Sequence, residues 1–250
     1  AAHPWSIGGG GAAELKDHLD TVGRRRLGEL AEAIGVTAIC GEDETSILPR
    51  SLLARQRFDE GVIRPLVDGQ SLRDWTADTE LVAHFPYRVA LLRLEDLPRG
   101  SRWLWPYRTV MWARATFSKN TYRDEGRTWW EWHQVALDRL SSEYLITFAF
   151  VATHNHFVLD RGGKVFNRSA PVIKLPEGAS ERDHLALLAV LNSSAACFWL
   201  QQVCHNKGGP GGANSKDEKW HDFYEFDGTK LQSFPVPAVT PVDTATELDR

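Results

Sequence analysis

The sequence predicts an α+β fold, a mixture of helices and strands built around a twisted mixed or antiparallel sheet. It also predicts a basic, aromatic-rich segment and a long amphipathic helix near the C-terminus. Residues 144–152 are rich in aromatic and β-branched side chains, which favour strands. Apolar residues at helical spacings follow Ser180. Strand-like and helix-like segments do not alternate regularly, so the parallel sheet of a βαβ protein is not expected.

The first hundred residues are predicted to combine two helices with short strands. Leu15, Leu19 and Val22 are spaced by four and three residues, which indicates a helix starting at Ala12. Residues 25–34 predict a second helix, and Gly35 stands where a helix-ending glycine is common. The further predictions are a buried strand at 36–40, an acidic turn at 41–44, a strand at 62–66 before a turn at 68–69, and a strand at 85–92.

The rest of the chain carries the stronger local signals. Ser180 and Asp183 have the spacing of a capping box, so a helix should begin there and continue to about residue 204. The other expected elements are a helix at 129–140, a hairpin joining 157–159 to 165–166, a strand at 171–175, a glycine-rich loop at 205–217 and a strand at 220–226. Residues 1–236 are predicted to form one domain, or two lobes at about 1–95 and 96–236. Residues 237–250 are predicted to be a linker or tail.

The overall composition is that of a folded globular protein. Of the 250 residues, 42% are hydrophobic and 25% are charged, unlike the composition of disordered chains. No run reaches the ~18 apolar residues of a membrane span. Three cysteines without close pairing exclude a disulfide framework and favour a reducing, cytoplasmic location. We expect Cys197 and Cys204 to be inert thiols. The only methionine is Met111, so residue 1 is not an initiator. A piece of a longer chain is expected, and N-terminal processing or tag removal are the alternatives.

The distribution of charge is more informative than its total. A net charge of −4 argues against a nucleic-acid-binding protein. Residues 99–127, which we call the basic segment, nevertheless hold seven positive side chains and only two carboxylates, a local net charge of +5. Six of the ten tryptophans lie between positions 103 and 132. Because arginine binds phosphates and guanine edges and stacks on aromatic rings, this segment predicts a nucleic-acid surface. Core tryptophans with a solvated arginine rim are the structural alternative.

Two other patterns have weaker interpretations. Gly8, Gly10 and Ala13 match the spacing G-x-G-x-x-A of a dinucleotide or S-adenosylmethionine site, but a plain flexible turn is the preferred interpretation. His154 and His156 would share one face of an extended segment. A polar strand end is favoured for them, and a DNA contact or a metal or catalytic role are the alternatives. We therefore predict no catalytic residue and no metal ligand in this chain.

Seven short segments, in this order along the chain, carry a family resemblance. They are residues 5–8 (WSIG), 30–40 (LAEAIGVTAIC), 63–75 (IRPLVDGQSLRDW), 85–87 (FPY), 126–132 (GRTWWEW), 157–160 (FVLD) and 187–199 (LLAVLNSSAACFW). Together they resemble the C-terminal target-recognition domain of TaqI-like and type IIG adenine-specific DNA methyltransferases. The nearest group is the PglX-like enzymes of BREX and phage-growth-limitation defence. The pattern departs from the family at Ser71-Leu72, where Asp-Ile is usual.

The resemblance implies sequence-specific recognition of double-stranded DNA, with residues 1–236 as the target-recognition domain. Enzymes of this family hold the flipped adenine of the DNA with an Asn-Pro-Pro or Asp-Pro-Pro motif while they methylate it. Neither motif occurs in the 250 residues. We therefore expect the chain itself to lack catalysis and a cofactor. S-adenosylmethionine is expected in the parent protein, beside an N-terminal methyltransferase domain. Other phage-defence proteins or an acidic phage inhibitor that mimics DNA are the further expected partners.

A DNA-reading role selects a set of polar side chains. The expected phosphate contacts are Arg102, Arg108, Arg114 and Lys119, and the expected base contacts are Arg123, Arg127, Asn155, Asn167, Arg168, Asn214 and Lys216, with Lys207 beside the glycine-rich loop. Trp129, Trp130 and Trp132 are expected to be scaffold, and Asn192 a satisfied buried amide. The alternative functions are a protein-interaction module and an independent nucleotide or S-adenosylmethionine enzyme that uses glycines 8–11.

Overall fold

Helices and strands are interspersed along the chain in the computed structural model, which describes residues 11–209 and 221–250. The α-helices are α1 (Ala12–Val22), α2 (Leu27–Leu30), α3 (Asp43–Ser46), α4 (Pro98–Leu104), α5 (Arg108–Trp112), α6 (Leu137–Leu140), α7 (Glu181–Leu191), α8 (Ser194–Val203), α9 (Gly228–Gln232) and α10 (Val242–Leu248). Short 3-10 turns occupy Arg50–Ala54, Leu94–Asp96 and Trp105–Tyr107.

The strands are short and come from the whole length of the described chain. They are β1 (Arg25–Arg26), β2 (Ala33–Gly35), β3 (Ala38–Ile39), β4 (Ile47–Pro49), β5 (Ile63–Val67), β6 (Leu72–Arg73), β7 (Thr76–Ala77), β8 (Leu81–His84), β9 (Gln134–Val135), β10 (Leu145–Phe148), β11 (Val151–Ala152), β12 (Phe157–Asp160), β13 (Val165–Phe166), β14 (Val172–Lys174), β15 (His205–Gly208), β16 (Phe223–Glu225) and β17 (Pro235–Val236). The predicted α+β class is confirmed.

Two four-stranded sheets organise the core. One has the order β12-β10-β14-β2 and is antiparallel throughout. The other has the order β13-β5-β8-β4, in which β13 and β5 are parallel and the remaining pairs are antiparallel. A three-stranded sheet, β11-β16-β15, lies at the edge of the cleft described below. Strands from both sides of residue 95 share both four-stranded sheets, so the two stretches 1–95 and 96–236 are interleaved in the fold.

The clearest local predictions agree with the structure. All four residues of β10 are buried, as expected of a central strand covered on both faces. Ser180 caps α7 through a capping box, in which its hydroxyl accepts from the Asp183 N–H and the Asp183 carboxylate accepts from the Ser180 N–H. The predicted long helix is broken, because α8 turns by 67° from α7 after Asn192. The Asn192 amide is satisfied, since it bonds both the N–H and the C=O of Phe157 at 3.0 and 2.8 Å.

The predicted helix at 25–34 is wrong because strand pairing overrides its apolar spacing. Residues Arg25 and Arg26 pair with β17, and only the single turn of α2 is helical. Ala33–Gly35 then forms the edge of the first sheet beside β14. Gly35 is therefore a strand residue with a φ of 153°, and not the end of a helix. Such pairing depends on residues more than 130 positions away along the chain, which no local pattern contains.

Two further elements differ from prediction in the middle of the chain. Residues 85–92 do not form a strand, because β8 ends at His84 and the chain turns away. Residues 129–140 do not form one helix: β9 pairs with β3, and only the single turn of α6 follows. The carbonyls of Trp129 and Glu131 accept hydrogen bonds from the Arg114 side chain. At these two carbonyls, the backbone hydrogen bonds that would continue a helix are replaced by hydrogen bonds from the Arg114 guanidinium.

The predicted hairpin at 157–166 is also wrong, although both of its strands exist. β12 pairs with β10 in the first sheet, and β13 pairs in parallel with β5 in the second sheet. The Asp160 carboxylate holds the turn between them by accepting from the Gly162 N–H and pairing with Lys164. The connection therefore links two sheets, whereas a hairpin would return within one.

Residues 237–250, predicted to be a linker or tail, contain a packed helix. α10 lies against α7, and its Ala245 is 1% exposed. Arg182 on α7 pairs with Asp243 on α10 at 3.2 Å, and Arg161 pairs with Asp249. The prolines and threonines at 235–244 suggested a tail, whereas these residues lead into α10 and form its first turn.

Taken singly, the helices in the described ranges are all too short or too polar to cross a membrane. The bent pair formed by Glu181–Leu191 and Ser194–Val203 meets the length and hydropathy criterion only when its two helices are combined. Most of α7 is buried in the main core.

Candidate nucleic-acid interface

The basic segment folds over a small aromatic core of its own. α4, a 3-10 turn and α5 follow each other over Pro98–Leu104, Trp105–Tyr107 and Arg108–Trp112. Leu104, Met111 and Trp129 are buried together there, at 1%, 1% and 4% exposure. The apolar and aromatic residues of this part of the chain thus pack into a small core, and the charged side chains lie around it.

The tryptophans predicted to be scaffold are part of this layer and the main core. Trp129 and Trp132 are buried, and Trp130 is half-buried. The indole N–H groups of Trp130 and Trp132 donate to the carbonyls of Leu92 and His84, at 3.0 and 3.2 Å. A buried indole that has a carbonyl partner costs little to bury, so these rings stabilise the fold. Trp105 differs, because it is 52% exposed.

Arg114, predicted to contact phosphate, is an internal structural residue. It is 7% exposed, and its guanidinium donates to the carbonyls of Met111, Cys40, Trp129 and Glu131 at 2.8–3.0 Å. It also lies 4.2 Å from the Tyr122 ring. Burial lowers the pKa of Arg114 from its usual value. With its donors used inside the protein, Arg114 is not available to DNA, and that prediction is wrong.

Arg127 was predicted to contact bases and is also used internally. Its guanidinium pairs with Glu131 and donates to the carbonyls of Trp132 and His133 at 3.2 and 3.1 Å. It lies 4.1 Å from the Tyr122 ring, the same ring that Arg114 contacts. The prediction of a base contact is therefore not supported by its position, because the side chain is three-quarters buried.

Four of the predicted DNA contacts in the basic segment remain at the surface. Arg102, Lys119 and Arg123 are exposed, and Arg108 is half-buried. The Arg108 guanidinium lies 4.2 Å from the Trp105 ring, and the Arg123 guanidinium 5.7 Å from the Trp112 ring. Stacking on an aromatic ring orders a guanidinium and leaves its edge open to an anion. These four side chains form the exposed cation group.

A tight turn presents Lys119. Residues Ala115 and Thr121 form a β-bridge, and Lys119 adopts a left-handed φ of 66° between them. The Asp124 and Glu125 carboxylates accept from threonine and serine hydroxyls in and beside this turn. These hydrogen bonds lower the pKa of both carboxyls. The two acids of the basic segment thus hold the turn in shape.

The remaining predicted contacts do not form one surface. The Asn155 amide is 5% exposed and donates to the Leu191 carbonyl, so its prediction as a base contact is wrong. Asn167 accepts from the Ser169 N–H and hydroxyl at 2.9 and 2.7 Å, which fixes its own turn. Lys207 forms an ion pair with Glu225. Arg168 is exposed. Asn214 and Lys216 lie outside the described residues.

Asn167 and Arg168 line a large cleft with a volume of about 1120 Å³. Five carboxylates also line it, from Glu42, Asp43, Glu44, Asp68 and Asp74, against two arginines, Arg73 and Arg168. A cleft with this charge repels phosphate and attracts cations. Its acidic character was missed in the sequence, because its walls come from five separate stretches of the chain.

One wall of this cleft carries a cluster of two histidines and an aspartate. The His156 Nδ1 lies 2.7 Å and the His154 Nε2 3.8 Å from the Asp74 carboxylate, and the two rings are 4.2 Å apart. Burial, and then the neighbouring His154, lower the pKa of His156. The shared face of the two histidines was predicted, but Asp74, 82 residues earlier, was missed.

The two remaining motifs of the sequence are the N-terminal glycine run and the cysteines. Gly8 and Gly10 are not described, and Gly11 precedes α1 with a φ of 87°. Cys40, Cys197 and Cys204 are free thiols. Burial raises the pKa of Cys204 to about 12 and also raises that of Cys197. Both thiols are therefore protonated at neutral pH, in agreement with the predicted inert role.

Comparison with known proteins shows the class to which the chain is related. No family model matches. A curated relative aligns with 98% of the chain at 44% identity over 253 residues, and it is an adenine-specific methyltransferase. That relative is PglX of Streptomyces coelicolor, and the chain spans about a fifth of its length (21%). The resemblance in the seven sequence segments is thus confirmed, and the chain is a relative of part of this methyltransferase.

A comparison with solved structures gives a weaker match. The type IIL restriction-modification enzyme MmeI, solved in complex with DNA, matches 66% of this chain and 21% of its own at a TM-score of 0.48. The sequence identity is 7%. At that distance the match carries no functional information about individual residues.

Proposed function

We propose that this chain is the sequence-reading part of an adenine-N6 DNA methyltransferase of a bacterial phage-defence system. One combined observation carries the proposal. The chain is 44% identical to an adenine-specific methyltransferase over 98% of its length, yet contains no Asn-Pro-Pro or Asp-Pro-Pro motif. A part of such an enzyme that lacks the base-holding motif is not expected to transfer the methyl group itself. The resemblance of its seven segments to a target-recognition domain supports reading of the target sequence as its role.

The exposed cation group is suited to positioning DNA. Phosphate contacts supply affinity and register without sequence information, and arginine and lysine supply most of them. Arg102 and Lys119 make no side-chain hydrogen bond or ion pair with any residue in 11–209 or 221–250, so their charge is available to phosphate. Arg108 and Arg123 rest against Trp105 and Trp112, which limits the conformational entropy they lose on binding.

Base reading requires side chains that enter a groove and discriminate edges. Arg123 is exposed and has the fork of donors that matches a guanine edge, whereas Arg168 lines the acidic cleft, whose charge disfavours DNA. Asn214 and Lys216, in the glycine-rich stretch of the sequence, remain predictions for the same role. Arg114, Arg127 and Asn155 are excluded from it by their internal hydrogen bonds.

The parent protein would supply the rest of the reaction. S-adenosylmethionine would bind a methyltransferase domain on the N-terminal side, and this chain would hold the DNA so that the target adenine reaches that domain. The protein would act in the cytoplasm, where phage DNA is present. An acidic phage inhibitor that mimics DNA would compete with DNA for the same cationic surface. Other defence proteins would extend that surface.

Reversing two exposed charges is expected to weaken DNA binding and its salt dependence together. In fluorescence anisotropy with a labelled duplex over a salt series, Arg102→Glu with Lys119→Glu should reduce the slope of log K against log salt by about 2, one for each lost phosphate contact. Arg24→Glu, an exposed arginine next to the β1–β17 pair, is the matched control and should leave the slope unchanged.

Circular dichroism establishes that each variant is folded, and the full-length parent protein is measured alongside. A full-length parent with the double reversal that binds DNA with the original affinity and slope would contradict the proposed use of these residues. Loss of binding in Arg24→Glu to the same extent would mean that net charge, and not this surface, controls affinity.

A protein-interaction module is the second candidate, and an exposed apolar group favours it. Trp105, Tyr107 and Val110 are 52%, 41% and 56% exposed beside one another on the basic segment. Aromatic residues are enriched where proteins bind proteins. Co-purification of another defence protein that persists at salt concentrations abolishing DNA binding would favour this candidate.

A further inference from the structure

Two distant parts of the chain meet on the wall of the acidic cleft. The tight turn between β6 and β7 carries Asp74, and the connecting residues 153–156 between β11 and β12 carry His154 and His156. β12 packs against both β6 and β7, which brings the turn next to the histidines. The position of the cluster is therefore set by the packing of strands and not by a mobile loop.

The three side chains converge on one point. Their ligand atoms, two imidazole nitrogens and a carboxylate oxygen, all lie within 4.8 Å of one another. The shortest separation is 2.7 Å, between His156 Nδ1 and Asp74 Oδ1, and the His154 Nε2 approaches the same oxygen at 3.8 Å. Ligands around a tetrahedral zinc ion, at about 2.0–2.2 Å from the metal, have separations of this order.

We propose that Asp74, His154 and His156 bind one divalent transition-metal ion of the zinc class. Two imidazoles and one carboxylate are the donor set that zinc, cobalt and iron prefer, whereas magnesium and calcium prefer oxygen ligands alone. Three protein ligands leave at least one coordination position open, as in zinc sites that bind water or an anion. The open position faces the cleft, since all three residues line it.

A simple hydrogen-bonded His–Asp pair does not explain the cluster. Such a pair needs only one ring, and His156 alone would serve. The second ring lies 4.2 Å away with its Nε2 directed at the same carboxylate, and its Nδ1 lies 3.0 Å from the Thr153 hydroxyl. Metal-bound histidines commonly bond a second group through the nitrogen that does not bind the metal, which fixes the ring orientation. The Thr153 contact has that arrangement.

The charge of the cleft supports a cation and not a phosphate at this point. Besides Asp74, four carboxylates line the cleft, from Glu42, Asp43, Glu44 and Asp68. A concave surface lined by one sign of charge raises the local concentration of the opposite ion. The metal site is thus independent of the proposed DNA contacts on the basic segment.

The test is titration of the chelator-treated chain with zinc chloride by calorimetry and with cobalt chloride by absorption spectroscopy. One equivalent should bind, and the cobalt spectrum should show ligand-field bands without a thiolate charge-transfer band. His154→Ala and His156→Ala should each weaken binding about 100-fold, and Asp74→Asn by about 10-fold or more. His18→Ala, an exposed histidine on α1, is the control and should bind as the unaltered chain does.

Because His156 is buried and its replacement can unfold the chain, the half-exposed His154 is the decisive variant. A folded His154→Ala protein with unchanged affinity overturns the proposal. So does a thiolate charge-transfer band, which would place the ion on cysteine. Absence of zinc binding by the unaltered, folded chain at micromolar concentration overturns it as well.

Discussion

Replacing Arg114 by methionine is expected to lower the free energy of unfolding by about 4 kcal/mol, because buried carbonyls lose their partners. The guanidinium donates to four of them, from Met111, Cys40, Trp129 and Glu131, and these carbonyls come from three different stretches of the chain. Methionine has a similar length and removes every donor. Urea unfolding followed by tryptophan fluorescence measures the change.

Arg123→Met is the matched control. Arg123 is exposed, belongs to the same segment and contacts a ring through its guanidinium, so its replacement should cost less than about 0.5 kcal/mol. Equal losses for the two variants would contradict the distinction between structural and exposed arginines. That distinction decides which cations of the basic segment are available to DNA, so this measurement also tests the choice of DNA-contact residues.

The stability of the chain is expected to fall by about 3 kcal/mol between pH 6.5 and pH 4 because of His84. The ring is fully buried, and neither nitrogen has a hydrogen-bond partner in the described residues. Burial lowers the pKa of His84 from 6.5 to about 4, an effect that the nearby Asp59 carboxylate only partly opposes. In the unfolded chain, the His84 ring therefore becomes protonated below pH 6.5, whereas in the folded chain it stays neutral down to about pH 4. Acidification between these values favours the unfolded state.

The local packing explains why His84 has no partner. A methyl group on Gly100 would lie 2.4 Å from the His84 Nε2, so α4 closes directly over the ring. His84→Leu should remove the extra loss of stability between pH 6.5 and 4 whatever its effect at pH 7. His18→Leu, on the exposed face of α1, should keep the pH dependence of the unaltered chain. A His84→Leu protein with the full pH dependence would show that other groups cause it.

Local signals in the sequence predicted the elements that local chemistry determines. The Ser180 capping box, α1 and β10 follow from residues within a few positions of one another. The helices predicted at 25–34 and 129–140 failed for the opposite reason. In the first, the backbone pairs with β17 and β14, and in the second, carbonyls accept from the side chain of Arg114. These partners lie 15 or more positions away along the chain, so apolar spacing alone could not reveal them.

The candidate site was predictable as a segment but not residue by residue. Counting charges located the basic segment, because its excess of arginine is local. Arg114 could not be distinguished from Arg123 in this way, since neither residue lies in a helix whose period would reveal a buried face. The histidine pair was visible from its spacing, whereas Asp74 joins it only through the packing of β12 on β6. The acidic cleft likewise required the assembled fold.

The proposed sequence-reading role has a direct measurement. In a full-length PglX-like methyltransferase, the stretch matching this chain is exchanged for that of a relative with a different target, and the methylated adenines are mapped by sequencing across a genome. An active hybrid is expected to methylate the target of the protein that donated the exchanged stretch, and the reciprocal hybrid the other target. An active hybrid that still methylates the original sequence would contradict the proposal that this chain reads DNA.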